Sequence, residues 1–168
     1  YASVTMYSRD DVKAITDKIF NMAQGHEVQV DLTGSERSGT RWANSTITTN
    51  LIQYDRQLTL TVRSGNRSGS AFTRDFSDAG LKEAVTAAIA DAKGATENPA
   101  QAEWLGAQEY IPVDAALPTG IAFGPRERAM MVKASSDICE KRGVLGSGYI
   151  PKTDQTDCTA NTKGLFAY

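Results

Sequence analysis

The sequence is short of histidine, cysteine, net charge and long apolar runs, and each shortage excludes a class of protein. Its uninterrupted apolar stretches run to only a few residues, far below the ~20 that cross a bilayer as a helix. A membrane span is excluded on that count. No charged segment followed by an apolar one opens the chain, so no secretory leader is visible. The net charge is −2, from 18 basic and 20 acidic side chains spread along the chain. A nucleic-acid binder concentrates positive charge on one face, and direct nucleic-acid binding is not expected here. Two cysteines, Cys139 and Cys158, permit one disulfide, but nothing else resembles a small stapled secreted scaffold. We read both as reduced thiols packed like small hydrophobes, which makes a reducing cytoplasm the default location.

What is present describes an ordinary globular chain. At 168 residues and 40% hydrophobic composition, one domain is expected, with enough buried surface to need no staple. Ser8 and Asp11 form a capping-box start to a helix carrying Val12, Ile15, Ile19, Met22 and Ala23 at helical spacing, ended at Gly25. The period then changes to two, with Val28, Val30 and Leu32 alternating with polar residues. Gly34–Gly39 reads as a turn, and Thr40–Asn50 as a β-branched polar strand. Leu58, Leu60 and Val62 alternate again, and Ser64-Gly65-Asn66 turns into a Gly/Ser-rich strand, Arg67–Thr73, that another backbone or a ligand can approach closely.

A second helix is capped by Ser77 and ended by Gly94. Residues 94–124 show no sustained period and read as a long connecting segment that packs through Trp104, Tyr110 and Ile111. Pro125 opens a third helix to about Arg142, with Met131, Val132, Ser135, Ile138 and Cys139 as its inner face. Strands are expected at Val144–Ile150, Thr153–Asn161 and from Leu165 onward. The fold class is therefore α+β, an antiparallel or mixed sheet with about three helices packed on it. Because the last apolar strand is cut short at Tyr168, we expect a longer protein.

No complete catalytic constellation is legible. His26-Glu27-Val28-Gln29-Val30-Asp31 approaches an HExxxH metal motif. In a strand, however, positions five apart face opposite ways, roughly 16 Å from each other, and cannot share an ion. No nucleophile elbow or phosphate loop occurs, and the sole histidine has no evident serine partner. Gly65-Asn66-Arg67-Ser68-Gly69 is glycine-rich but joins two strands, so a hairpin is favoured over a phosphate cradle. Arg41, Asn44, Arg63, Arg67 and Arg74 lie on strand segments. They suit anchoring of a peptide carboxylate or pairing across an interface, and equally the solvated face of a one-sided sheet. Glu97, Glu103 and Glu109 read as solvated linker.

Several segments in order resemble one known family. Glu27-Val28-Gln29-Val30 is similar to its first strand, and Arg41 to Asn50 to its R-[aromatic]-A-N-x-x-I-x-x-N segment. Leu58 to Thr73 looks like its V-x-V-R-x-G-x-R-x-G-x-A-x-T hairpin, Leu81 to Ala92 like its L-x-x-A-V-x-x-A-x-x-x-A helix, and Ala160 to Tyr168 like its A-N-x-x-G-x-x-x-Y region. The family is TldD/PmbA, also called modulators of DNA gyrase. The resemblance implies that residues 1–168 are an N-terminal domain and that a C-terminal metallopeptidase-type domain is absent from this chain. It implies zinc bound in that missing half by HExxxH and a distant cysteine, and homodimers or heterodimers that degrade peptides in an enclosed chamber. A PmbA-like branch without the metal motif serves as the partner subunit. No catalytic or metal-binding residue carries over to this chain, whose own cofactor complement is expected to be none. Substrate or interface contacts are expected from Arg41, Asn44, Arg67 and Asn161.

Overall fold

A computed structural model of the chain describes residues 7–111, 113 and 115–168; residues 1–6 and positions 112 and 114 of the connecting segment lie outside them. The elements are α1 (Arg9–Met22), β1 (Glu27–Ala43), β2 (Thr46–Ser64), β3 (Arg67–Thr73), α2 (Asp78–Gly94), α3 (Pro118–Ala122), α4 (Pro125–Lys141), β4 (Gly148–Asn161) and β5 (Phe166–Ala167). The strands form one antiparallel sheet in the order β3-β2-β1-β4-β5, as the α+β reading requires. Two compact units share the chain: Tyr1–Gly34 with Arg56–Ile111 and Gln155–Tyr168, and Ser35–Asp55 with Pro112–Asp154.

The first unit holds the apolar core. Alternation sends Val28, Val30 and Leu32 of β1, Leu58, Leu60 and Val62 of β2, and Cys158 and Ala160 of β4 to one face. Val12 and Ile19 of α1 and Leu81, Val85 and Ala88 of α2 complete it. The capping box of α1 is present: Asp11 N–H donates to Ser8 Oγ at 3.1 Å, and Ser8 N–H to Asp11 Oδ2 at 3.0 Å. The Ser8 hydroxyl, donating to Asp11 Oδ2 at 2.7 Å, and then the Ser8 N–H hold the Asp11 carboxyl below the usual carboxylate range. At α2, Ser77 Oγ accepts from Gly80 N–H while Asp75 accepts from Ser77 N–H, and the Asp75 carboxyl is lowered for the same reason.

The glycine-rich strand does receive a backbone. A Cβ on Gly69 would lie 2.1 Å from the Ala92 nitrogen and 2.5 Å from the Ala88 oxygen, so α2 is seated directly on β3. Ser64 and Arg67 pair across Gly65-Asn66, with Gly65 at φ +60.

Four expectations need correction. Gly34–Gly39 is not a turn but the middle of β1, a single strand of 17 residues. Its glycines clear room for rings: a Cβ on Gly34 would stand 3.0 Å from Tyr7, and one on Gly39 2.5 Å from Tyr149. The turn lies instead at Asn44-Ser45, both left-handed at φ 50 and 59, as a two-residue type I′ hairpin demands. The expected strand Thr40–Asn50 is therefore the two arms of that hairpin. Val144–Ile150 and Thr153–Asn161 are not two strands: Gly148–Asn161 is one, and Gly146 bonds to Ser45 instead of entering the ladder. Finally, α4 turns Arg128 and Val132 inward, while Met131 and Ile138 are 52% and 56% exposed.

The connecting segment is partly tied down. Asn98 N–H donates to Asn66 O at 2.8 Å, Arg63 donates to Ala102 O at 2.8 Å, and its guanidinium stacks 3.9 Å from the Trp104 ring. Tyr110 and Ile111, expected to pack, are exposed.

Gly69→Ala should cost about 1–3 kcal/mol by overpacking against α2. Gly94→Ala, which meets nothing within 4 Å, should be neutral or gain about 0.5 kcal/mol; urea denaturation of the two variants checks the opposite signs. Burial pushes the Cys158 thiol from 9.0 up to about 11, so the native state holds that proton more tightly than the unfolded chain. Its contribution to stability is complete below pH 9 and is lost as pH rises through about 11. The lowered Asp11 and Asp75 carboxyls act oppositely, their contribution being lost as pH falls below their unfolded value of 3.8. Tm measured across pH, with Cys158→Ala flattening the alkaline limb alone, tests both.

Candidate functional site

The second unit has little of the core that the first one has. Among its described residues Val132 is the buried apolar side chain, and the other fully enclosed large side chain is a charged one, Arg128. Its guanidinium donates to Thr40 Oγ1 at 2.9 Å, Ser38 Oγ at 3.1 Å and Asn50 Oδ1 at 3.2 Å. Thr40 Oγ1 in turn donates to Asn50 Oδ1 at 3.0 Å. All three acceptors are neutral. Arg128 also stands in the first turn of α4, where the helix dipole disfavours a cation. Glu127 offsets this: its carboxylate accepts from Gly124 N–H at 2.9 Å, and backbone hydrogen bonds, then Arg126 and Arg128, hold its carboxyl low. The cluster pins α4 to both arms of the β1–β2 hairpin.

Above this pin lies an open cleft of about 650 Å³. Its walls are the hairpin tip (Asn44 to Ile47), the α4 face carrying Val132, Ser136 and Glu140, and the Gly143–Leu145 loop. The loop is held to the tip by Ser45 N–H donating to Gly146 O at 2.9 Å and Gly146 N–H donating to Ser45 Oγ at 3.2 Å. Gly148 is packed on Trp42, since a Cβ there would lie 2.5 Å from the indole ring. Three apolar side chains of its lining stand exposed, Ile47 at 43%, Val144 at 54% and Leu145 at 73%. The Ser136 hydroxyl is enclosed without a hydrogen-bond partner. Lys133 and Asp137 pair at 2.7 Å along one wall.

Residues 28–92 match the sequence profile of the PmbA/TldA metallopeptidase domain 1. The matched segment, residues 28–92, belongs to a TldD/PmbA first domain. Its fold is shared with three solved structures. TldE from Thermococcus kodakarensis superposes with TM-score 0.75 at 13% identity over 94% of this chain and 35% of that one. A candidate modulator of DNA gyrase from Bacteroides thetaiotaomicron gives 0.76 at 14% over 96% and 39%. Another from Thermotoga maritima gives 0.72 at 16% over 93% and 36%. The chain thus spans little more than a third of the structures it matches. No curated protein matches it in sequence.

Within this TldD/PmbA domain, the residues singled out from sequence fall into two pairs. Arg41 and Asn44 belong to the second unit. Arg41 lies 5.3 Å from the centre of the Tyr149 ring, and Asn44 makes the left-handed hairpin corner and lines the cleft. Arg67 and Asn161 belong to the first unit, where both meet the connecting segment. Arg67 donates to Lys93 O at 3.2 Å and lies 3.4 Å from Glu97. Asn161 is buried; it donates to Leu105 O at 2.9 Å and its Oδ1 accepts from Lys163 and Leu165 N–H groups. Arg74 stacks on Phe72 at 5.6 Å. Glu103, expected to be solvated, is 91% exposed at its side chain and pairs loosely with Lys163.

His26 directly precedes β1, and Glu27 and Asp31 lie on that strand, as the period-two reading requires. Among the described residues no group of three or more His, Cys, Asp or Glu side chains converges on a metal position, so these residues do not fit a zinc site. No helix among them is long and apolar enough to cross a membrane. Sequence reasoning missed Arg128, Ser38 and Thr40. The available signal was an arginine in the first turn of a proline-opened helix, against the dipole.

Replacing Arg128 by Met keeps volume but strips the Ser38 and Thr40 hydroxyls of their donor. A loss of about 1–3 kcal/mol is expected, with Arg128→Lys intermediate because an ammonium cannot reach three acceptors in a fork. Denaturation monitored by Trp42 fluorescence reads this out.

Proposed function

We propose that this domain is the non-catalytic N-terminal part of a TldD/PmbA-type zinc metallopeptidase subunit, shaping the route by which peptides reach the metal and taking part in subunit contact. The observation that carries the reading is the match of residues 28–92 to the first domain of a metallopeptidase family, in a chain whose fold fills 35–39% of the structures it resembles. Zinc chemistry is assigned to polypeptide outside this chain, and a cytoplasmic location goes with the reading. The partner is a second copy or a homologue, the substrate an unfolded or short peptide, in keeping with an open cleft that exposes Ile47, Val144 and Leu145.

A second reading, a partner subunit without metal of its own, is favoured by the exposed apolar groups of the second unit. A polypeptide joining this chain to the remainder found in the matched structures distinguishes the two. Chelator-sensitive hydrolysis of unstructured peptides by that polypeptide alone is the expected result, with none from the 168-residue chain. Activity only after mixing with a metal-bearing homologue selects the partner reading. Absence of activity and of bound metal in both preparations ends the peptidase proposal.

A further inference from the structure

The two units enclose different kinds of side chain. The first encloses apolar groups from two helices and three strands, Ile19, Val30, Leu60, Leu81 and Ala160 among them. In the second, the enclosed side chains among the described residues are Ser38, Thr40, Arg128 and Val132. Removing apolar surface from water is favourable wherever it happens, whereas a buried hydrogen bond mostly replaces one that water made in the open chain. Enclosing a guanidinium adds a desolvation cost, and its three acceptors here carry no charge to offset it.

The bonds that hold α4 converge on one residue. Arg128 reaches Ser38 and Thr40 on β1 and Asn50 on β2, so a single side chain ties α4 to both arms of the hairpin. Ser45 and Gly146 exchange two bonds at the hairpin tip, and Lys152 donates to Ile121 O at 2.8 Å, but neither tie involves α4. The strands β1, β2 and β4 run through both units, dividing after Gly34, Asp55 and Asp154. Strand pairing is made residue by residue, so ladder bonds beyond those points can break without the ones on the core side.

We infer that the second unit opens as one cooperative piece while the first stays folded, with Arg128 as its latch. When the guanidinium releases Ser38, Thr40 and Asn50, α4 leaves both hairpin arms at once, and little apolar burial opposes the parting. The cleft is walled by the hairpin tip, α4 and the Gly143–Leu145 loop, all within this unit, so it exists only in the latched form. Any molecule that fills the cleft then slows the opening, by linkage. The inference goes beyond the peptidase reading and does not rest on it.

The test is amide hydrogen exchange of the 168-residue chain in rising, sub-denaturing urea. Amides of α4 and of both hairpin arms should converge on one opening, faster than that of α2 and of Leu58–Val62. Its rate should rise less steeply with urea, because less surface is exposed. Arg128→Met should speed exchange in the second unit roughly 5- to 30-fold and leave α2 unchanged. Val85→Ala, in the apolar core, should do the reverse, speeding α2 and leaving α4 as it was. If Arg128→Met does not fold, the wild-type urea dependence decides. One rate and one urea slope shared by both units would overturn the proposal, since opening would then be all-or-none. So would an Arg128→Met effect of equal size on α2, or second-unit amides that exchange one by one with no common opening.

Discussion

The backbone of α2 runs so close to β3 that one methyl group on Gly69 would meet the Ala92 nitrogen at 2.1 Å. That approach is possible because β3 offers glycine at the contact and α2 offers alanines, Ala84, Ala88 and Ala92, all buried. With α2 seated there, Leu81 and Val85 reach Leu58, Leu60 and Val62 in one core cluster, to which α1 adds Val12 and Ile19. The opposite sheet face, no longer needed for the core, is polar: Thr61 pairs with Ser70 and Thr159 with Asp31. The connecting segment uses that face as a track, held by Arg63, Gln101 and Asn161.

The second unit is organised on a different principle. With almost no apolar side chain enclosed, its helix is fixed by directional bonds from one guanidinium to three neutral oxygens. Planar, multi-donor geometry makes arginine suited to this. The unit is held by this polar pin, with Ile47, Val144 and Leu145 left exposed.

Much of the fold was legible before any coordinates. Ser8 with Asp11, Ser77, Pro125 and the alternating valines and leucines each announce an element through local chemistry, and α1, α2 and α4 begin where those residues place them. The glycines misled. Gly34 and Gly39 read as turn residues, yet they exist to let Tyr7 and Tyr149 lie on the strand, which only the rings' positions reveal. Asn44, read as a contact residue, turned out to be a conformational one as well, tolerating the left-handed corner. Apolar spacing on α4 suggested an inner face with Met131 and Ile138, and the tertiary packing chose the Arg128–Val132 side instead.

Sequence alone determined the class of fold and the family resemblance, because those depend on period, caps and composition, all local or additive properties. Tertiary structure decided which glycines are turns and which are clearances, where the hairpin bends, and that a buried arginine replaces an apolar core in the second unit. Those depend on what stands opposite a residue across the sheet, and residues 38, 40, 50 and 128 meet only after the chain has folded back on itself.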